Sequence, residues 1–221
     1  TPKEPDAWGV RLSYGWALGE ALAINFGASA MNEYVRNANF NQISPRSWWS
    51  NIEEGFTYDD NEFKTNQFIH PFNGSQYYNA ARSNGLSFWP SYSVAMIGAL
   101  HWELAGETHP MSFNDLIATG VGGAAMREAM YRFSSMILDN EATGADRFFR
   151  EAGGFITDPI RGFNRIVSGR AWKVRSNPED PMDSDPVGQI NRLDVGYKKT
   201  GKGAWPSLEH DTEESGYFEY I

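Results

Sequence analysis

The chain contains no cysteine, which excludes disulfides and thiolate metal sites. That absence fits a bacterial periplasmic protein, although many cytosolic proteins share it. Positive charge is scarce: 19 Lys and Arg stand against 28 Asp and Glu, for a formal net charge of -9. Phosphate backbones are gripped by clustered cations, so nucleic acid is not an expected partner. Simple electrostatic docking on anionic lipid heads is disfavoured for the same reason. No apolar run reaches the roughly 18 residues of a membrane-crossing helix. The sequence opens Thr-Pro-Lys-Glu-Pro, without the charged-then-apolar pattern of an export segment. The expectation is that such a segment was removed or never existed. Two catalytic signatures are also missing. There is no H-E-x-x-H for a zincin and no G-x-S-x-G elbow for a serine hydrolase. The glycines of Thr119-Gly120-Val-Gly122-Gly123 lack both the phosphate-loop lysine and dinucleotide spacing. No cofactor is therefore expected, and these glycines read instead as a close helix crossing.

What the chain has in quantity is aromatic surface: 8 Trp, 10 Tyr and 14 Phe among 221 residues. Trp and Tyr combine a large apolar body with a polar edge, a combination suited to surfaces that touch lipid or glycan. The length allows one large domain, or one domain with an appended subdomain.

Local signals predict a mainly α bundle of six or seven helices. Residues 8–35 read as a helix rich in Gly and Ala, followed by a polar loop over 37–43. Ser44-Pro45 is an N-cap with proline at the first helical position, opening a short helix that ends at Gly55. An acidic turn over 58–65 precedes a helix from Pro71 to Asn84, closed by Gly85. Residues 90–105 carry a single charged side chain, Glu103, and should form the most buried helix. Ser112-Phe-Asn-Asp115 fits a capping box opening a long helix to about Leu138. Thr143 with Asp146, and Asp158-Pro159, signal two more helix starts, the last helix ending near Gly169. This helical domain is expected over 1–175. An acidic Pro-rich linker follows over 176–188, and then a β-forming tail over 189–221. In the tail, Leu193, Val195 and Tyr197 alternate with polar neighbours, and 217–221 offers a second strand, as a hairpin or the start of a barrel.

The densest polar stretch runs from Asn66 to Gly85. His70 precedes Pro71, which should push it toward extended backbone at a helix start, where its imidazole would serve as base, ligand or cap. Tyr78 and Arg82 are four apart and share a helix face. Glu103 and Glu107 bracket a helix end, and Asp115 begins the next helix. Buried carboxylates are costly unless they are paired or metal-bound. Two arrangements stay open. His70, Glu103, Glu107 and Asp115 would form an oxygen-rich divalent-metal site with one imidazole; alternatively, Arg82, Arg127 and Arg132 would neutralise the carboxylates in a salt-bridge network. The number of nearby cations favours the network.

In their order along the chain these motifs resemble an uncharacterised bacterial domain family, a domain of unknown function. The residues that carry the resemblance are Asp-Asp-Asn-x-Phe-x-x-Asn-Gln-Phe-x-His-Pro at 59–71 and Gly-Ser-x-Tyr-Tyr-x-Ala-Ala-Arg-Ser-Asn-Gly at 74–85. Trp-Glu-x-x-Gly-Glu at 102–107, Ser-x-Asn-Asp at 112–115 and a Gly-Gly helix ending in Tyr-Arg at 122–132 follow. The resemblance implies an exported Gram-negative protein of the periplasm or outer membrane, with a helical domain ahead of antiparallel strands of an outer-membrane barrel. A weaker similarity to VanZ-like envelope proteins lies in the glutamate before a Ser-x-x-Asp helix start.

Two readings of function follow. In the favoured one the chain is a periplasmic helical module that plugs or scaffolds an outer-membrane partner, with lipid or glycan contact. Asn66, His70, Arg82, Glu103, Glu107 and Asp115 would then hold loops and helix ends together. In the alternative it is an envelope hydrolase or lipid-modifying enzyme. There His70 would be the general base, Glu103 or Glu107 an acid or metal ligand, and Arg82 or Arg127 an anion clamp, with Asn66, Tyr78 and Arg132 completing the binding set.

Overall fold

The computed structural model describes residues 8, 10, 12–178, 193–201 and 212–220. The chain divides into two compact units, Thr1–Asp183 and Ser184–Ile221. The first is the expected mainly helical bundle. Its helices are α1 (Tyr14–Ala30), α2 (Pro45–Glu54), α3 (His70–Ser83), α4 (Phe88–Ala105), α5 (Phe113–Ile117), α6 (Gly123–Ile137), α7 (Gly144–Thr157) and α8 (Pro159–Val167). A π-helical turn, Ala118–Gly122, fuses α5 and α6 into one rod. Among the described residues there are thus seven continuous helices. In the second unit, β1 (Leu193–Gly201) and β2 (Thr212–Tyr220) pair antiparallel, with Leu193 opposite Tyr220 and Gly201 opposite Thr212. Most of the expected linker over 176–188 lies outside the described residues.

Most helix starts follow local chemistry. Ser44 accepts the Ser47 N–H while Ser47 Oγ accepts the Ser44 N–H, a reciprocal capping box with Pro45 just inside the helix. Ser112 caps α5 through the Asp115 N–H, and Asp158 caps α8 through the Arg161 N–H. Gly85 closes α3 at φ 81°, a conformation that L side chains avoid. Two boundaries differ from expectation. α1 starts at Tyr14, capped by Ser13, rather than at Trp8. His70 is helical, at φ -62° and ψ -50°, not extended. The π turn Thr65–Ile69 runs directly into α3. A wider turn there relieves the clash that Pro71 would otherwise make with the carbonyl one turn back.

Helix α3 is the axis of the bundle, packing against α1, α4, α6 and α8. It, rather than α4, is the most buried helix: ten of its fourteen residues are buried. Apolar content misleads here because α4 leaves Trp89, Ile97 and Leu100 in the open. Small residues let α3 sit at the centre. A Cβ on Gly74 would lie 1.7 Å from the Thr119 carbonyl oxygen, and one on Gly123 would lie 2.4 Å from the Gly74 carbonyl carbon. Backbone therefore meets backbone where α3 crosses the α5–α6 rod, as expected of the glycines at 120–123.

The apolar core is modest. Ala17, Ala21, Tyr77, Tyr78, Ala81, Leu86, Val94, Ala95 and Ala124 form its main cluster. Among the described residues, twenty-three polar or charged residues are buried against eighteen apolar ones, half of these alanine. Thirty-five large hydrophobic side chains are exposed, including Trp16, Phe26, Trp89, Phe149 and Trp172. The polarity of the unit is inverted relative to an ordinary water-soluble domain.

Candidate functional site: two buried polar centres

The polar residues of α3 leave on different faces, because adjacent helical residues diverge by about 100°. Tyr77 sends its hydroxyl to Asn25 Oδ1 on α1, and Tyr78 sends its own to Glu128 Oε2 on α6. Two separate centres result.

The first joins α3, α4 and the start of α5. Single ligand atoms of His70, Glu103 and Asp115 all lie within 4.8 Å of one another, and all three residues are buried. His70 Nε2 is 3.4 Å from Asp115 Oδ1 and makes no hydrogen bond, while Nδ1 lies 3.2 Å from Thr119 Oγ1. Asp115 is held by Asn61 Nδ2 and Asn114 Nδ2, each donating at 3.0 Å, and Glu103 Oε2 accepts the Ser112 N–H at 2.8 Å. Asn66 stands one layer out, donating to the Asn61 carbonyl. The loop carrying Asn61 is fixed by Thr57, whose N–H bonds the Met111 carbonyl and whose own carbonyl accepts the Phe113 N–H.

No arginine or lysine pairs with these carboxylates among the described residues. Burial raises the Glu103 carboxyl to about 8, opposed by the Ser112 N–H and reinforced by neighbouring carboxylates. Burial also raises Asp115, against the pull of His70, and it lowers the His70 imidazole despite Asp115 and Asp59. Glu107 stands at the margin. Trp102 Nε1 donates to it at 2.5 Å, and its carboxyl is raised by burial. It is not one of the three convergent groups.

The second centre joins α3 to α6. Arg82 grips Glu128 with two parallel bonds of 3.0 Å, Tyr78 donates to the same carboxylate, and Arg132 approaches it at 2.9 Å. Burial pushes the Glu128 carboxyl up, but Arg82 outweighs that and holds it below the usual range. Arg82 also stacks 4.4 Å from the Tyr131 ring centroid, and Arg161 covers the same ring at 4.1 Å. Nearby, Arg127 bonds Asp158 at 3.1 Å, and Asn79 donates to the same oxygen. The expected neutralisation of Glu103, Glu107 and Asp115 by Arg82, Arg127 and Arg132 is thus corrected. All three arginines serve Glu128 or Asp158 instead: Arg82 reaches Glu128 from α3, Arg132 meets it one turn along α6, and Arg127 reaches Asp158 at the start of α8.

Residues 55–160 match the family described as Domain of unknown function (DUF3943). No curated protein and no solved structure matches the chain. The matched segment begins at the Gly55 that ends α2 and closes at the start of α8, so it holds the first centre entire and all of the second but Arg161. Several of its structural residues were not singled out from sequence as site residues: Asn61, Asn114, Thr119, Glu128 and Asp158. Asp158 showed only a local role there, as an N-cap. Nothing local announced Thr119 as the partner of a histidine 49 residues away.

Away from both centres lies a cleft of about 470 Å³, lined by Phe148, Phe155, Ile156, Ile166 and Trp172 around Arg147 and Glu151. None of the expected site residues lines it.

Proposed function

We propose that the chain is a structural module of the bacterial envelope that seats on a lipid bilayer at the periplasmic or outer-membrane surface, its apolar helices in contact with acyl chains. The observation that carries this reading is the inverted polarity of the bundle. Exposed aromatic and aliphatic side chains are spread over α1, α2, α4, α6, α7 and α8 rather than gathered in one patch. A single protein partner would account for one face. A lipid phase solvates many faces at once, and it favours a fold whose polar groups satisfy one another inside. No described helix is long and apolar enough to cross a membrane; lipid contact along helix faces needs no such length. The aromatic rings support this, as Trp and Tyr favour the headgroup boundary. The envelope location rests on the motif resemblance. The hydrolase alternative is less well supported, because His70, Glu103 and Asp115 are sealed from solvent and Arg82 and Arg127 are already paired.

Flotation with neutral phosphatidylcholine vesicles tests the reading. The protein should rise with the vesicles at both low and high salt, since its net charge of -9 leaves apolar contact as the attraction. Replacing exposed Phe148, Ile156 and Trp172 by serine should reduce the bound fraction several-fold with little change in helicity. Protein that stays at the bottom of the gradient while remaining folded and monomeric would refute the proposal. Capture by one protein partner instead of vesicles would replace it with a scaffold of the protein–protein kind.

A further inference from the structure

We infer that His70, Glu103 and Asp115 form a buried binding site for one divalent transition-metal ion. The strongest argument is contrast within one domain. Glu128 is paired by Arg82 and Arg132, Asp158 by Arg127, and Glu151 by Arg165. Glu103 and Asp115 are as deeply buried, yet among the described residues no arginine or lysine pairs with either, and only the His70 imidazole stands beside Asp115. Two carboxylates and a neutral imidazole sum to a charge of -2, which a divalent cation cancels.

The geometry is independent of that charge count. His70 is 6% exposed, and its Nε2 points at Asp115 without a hydrogen bond. The 3.4 Å separation from Asp115 Oδ1 is long for a charge-assisted bond. Two atoms that far apart subtend about 108° at an ion about 2.1 Å from each, close to a tetrahedral angle. Glu103 brings its own ligand atom within 4.8 Å of both; ligands about 2.1 Å from one ion stand at most about 4.2 Å apart, so this flexible side chain has to close by no more than about 0.6 Å.

The surroundings match those of a metal site. His70 Nδ1 lies 3.2 Å from the Thr119 hydroxyl; in the tautomer that donates Nδ1–H to that oxygen, the Nε2 lone pair faces the carboxylates. Asn61, Asn114 and the Ser112 N–H hold the carboxylates from behind. The donors come from α3, α4 and α5, so an ion there would tie three helices together. One imidazole with two carboxylates suits Zn²⁺ or Mn²⁺ better than an all-oxygen cation such as Ca²⁺.

The test uses the full chain, dialysed against a chelator and then titrated with Zn²⁺ and, separately, with Mn²⁺ by calorimetry. The expected result is one ion per chain for at least one of the two, with a rise of several degrees in Tm on loading. His70→Gln and Glu103→Gln should each weaken binding at least 100-fold, and Thr119→Val by 10- to 100-fold. Because Thr119→Val leaves every ligand in place, it keeps the proposal open to refutation if the ligand variants fail to fold. His109→Gln removes an exposed imidazole near Glu107 and should leave binding unchanged. Absence of stoichiometric binding by either ion, or binding that survives His70→Gln and disappears in His109→Gln, would overturn the inference.

Discussion

Exchanging glycine for alanine should change stability in opposite directions at two helical positions of this bundle. At Gly19, inside α1, nothing lies within 4 Å of an added Cβ. Alanine there gains helix propensity of about 1 kcal/mol. At Gly74 the same methyl would sit 1.7 Å from the Thr119 carbonyl oxygen and 2.5 Å from its carbon. Ordinary contact needs more than 3 Å, and the obstacle is backbone of the α5–α6 rod, which cannot rotate away as a side chain would. The helices must part by more than an ångström at the point where α3 is most tightly enclosed, straining the Thr119–His70 bond as they do. Overpacking of this kind destabilises by about 3 kcal/mol, at the upper end of the usual range. For a unit of this size that lowers Tm by roughly 6–12 °C. Paired thermal and urea melts of Gly19→Ala and Gly74→Ala would measure it. Near-equal effects of the two substitutions would refute the backbone-to-backbone crossing.

Three further outcomes follow from the polar centres. In chelator, the raised Glu103 carboxyl means that the folded state binds the proton more tightly than the unfolded chain does. Its contribution is present below the unfolded value of 4.5 and lost as pH rises through about 8. Urea midpoints should therefore fall across that window, and Glu103→Gln should flatten the slope; a wild-type midpoint constant from pH 5 to 8 would contradict the assignment. His70, lowered by burial, opposes that trend below pH 6.5, so the fall in stability should be clearest between 6.5 and 8, and His70→Gln should steepen it below 6.5. Arg82→Gln should destabilise by about 3–5 kcal/mol by leaving Glu128 buried with a weaker set of partners. Arg132→Gln should cost about 1 kcal/mol, since that side chain is 21% exposed, and equal losses would argue against the ranking.

Much of the architecture was written in short-range signals. Ser44-Pro45, Ser112 and Asp158-Pro159 start helices because their side chains reach backbone N–H groups two or three residues on. Gly55 and Gly85 end helices because each sits at positive φ. Tyr78 and Arg82 were legible as a shared face for the same local reason, four residues making about one turn. The backbone of His70 was misread: the restriction before proline is a pairwise preference, and the π turn beneath it is set by the packing of the whole segment.

By itself, then, the sequence determined the helices, their caps and which polar residues would have to be satisfied inside, because these depend on neighbours within a turn or two. Only the tertiary structure decided who satisfies whom. Arginines expected beside Glu103 and Asp115 went to Glu128 and Asp158, and the polar helix α3 took the centre while apolar α4 kept an open face. Those outcomes depend on which faces of α3 meet which helices, a choice made by residues some 50 to 80 positions apart in the chain, and no periodicity in the sequence records that choice.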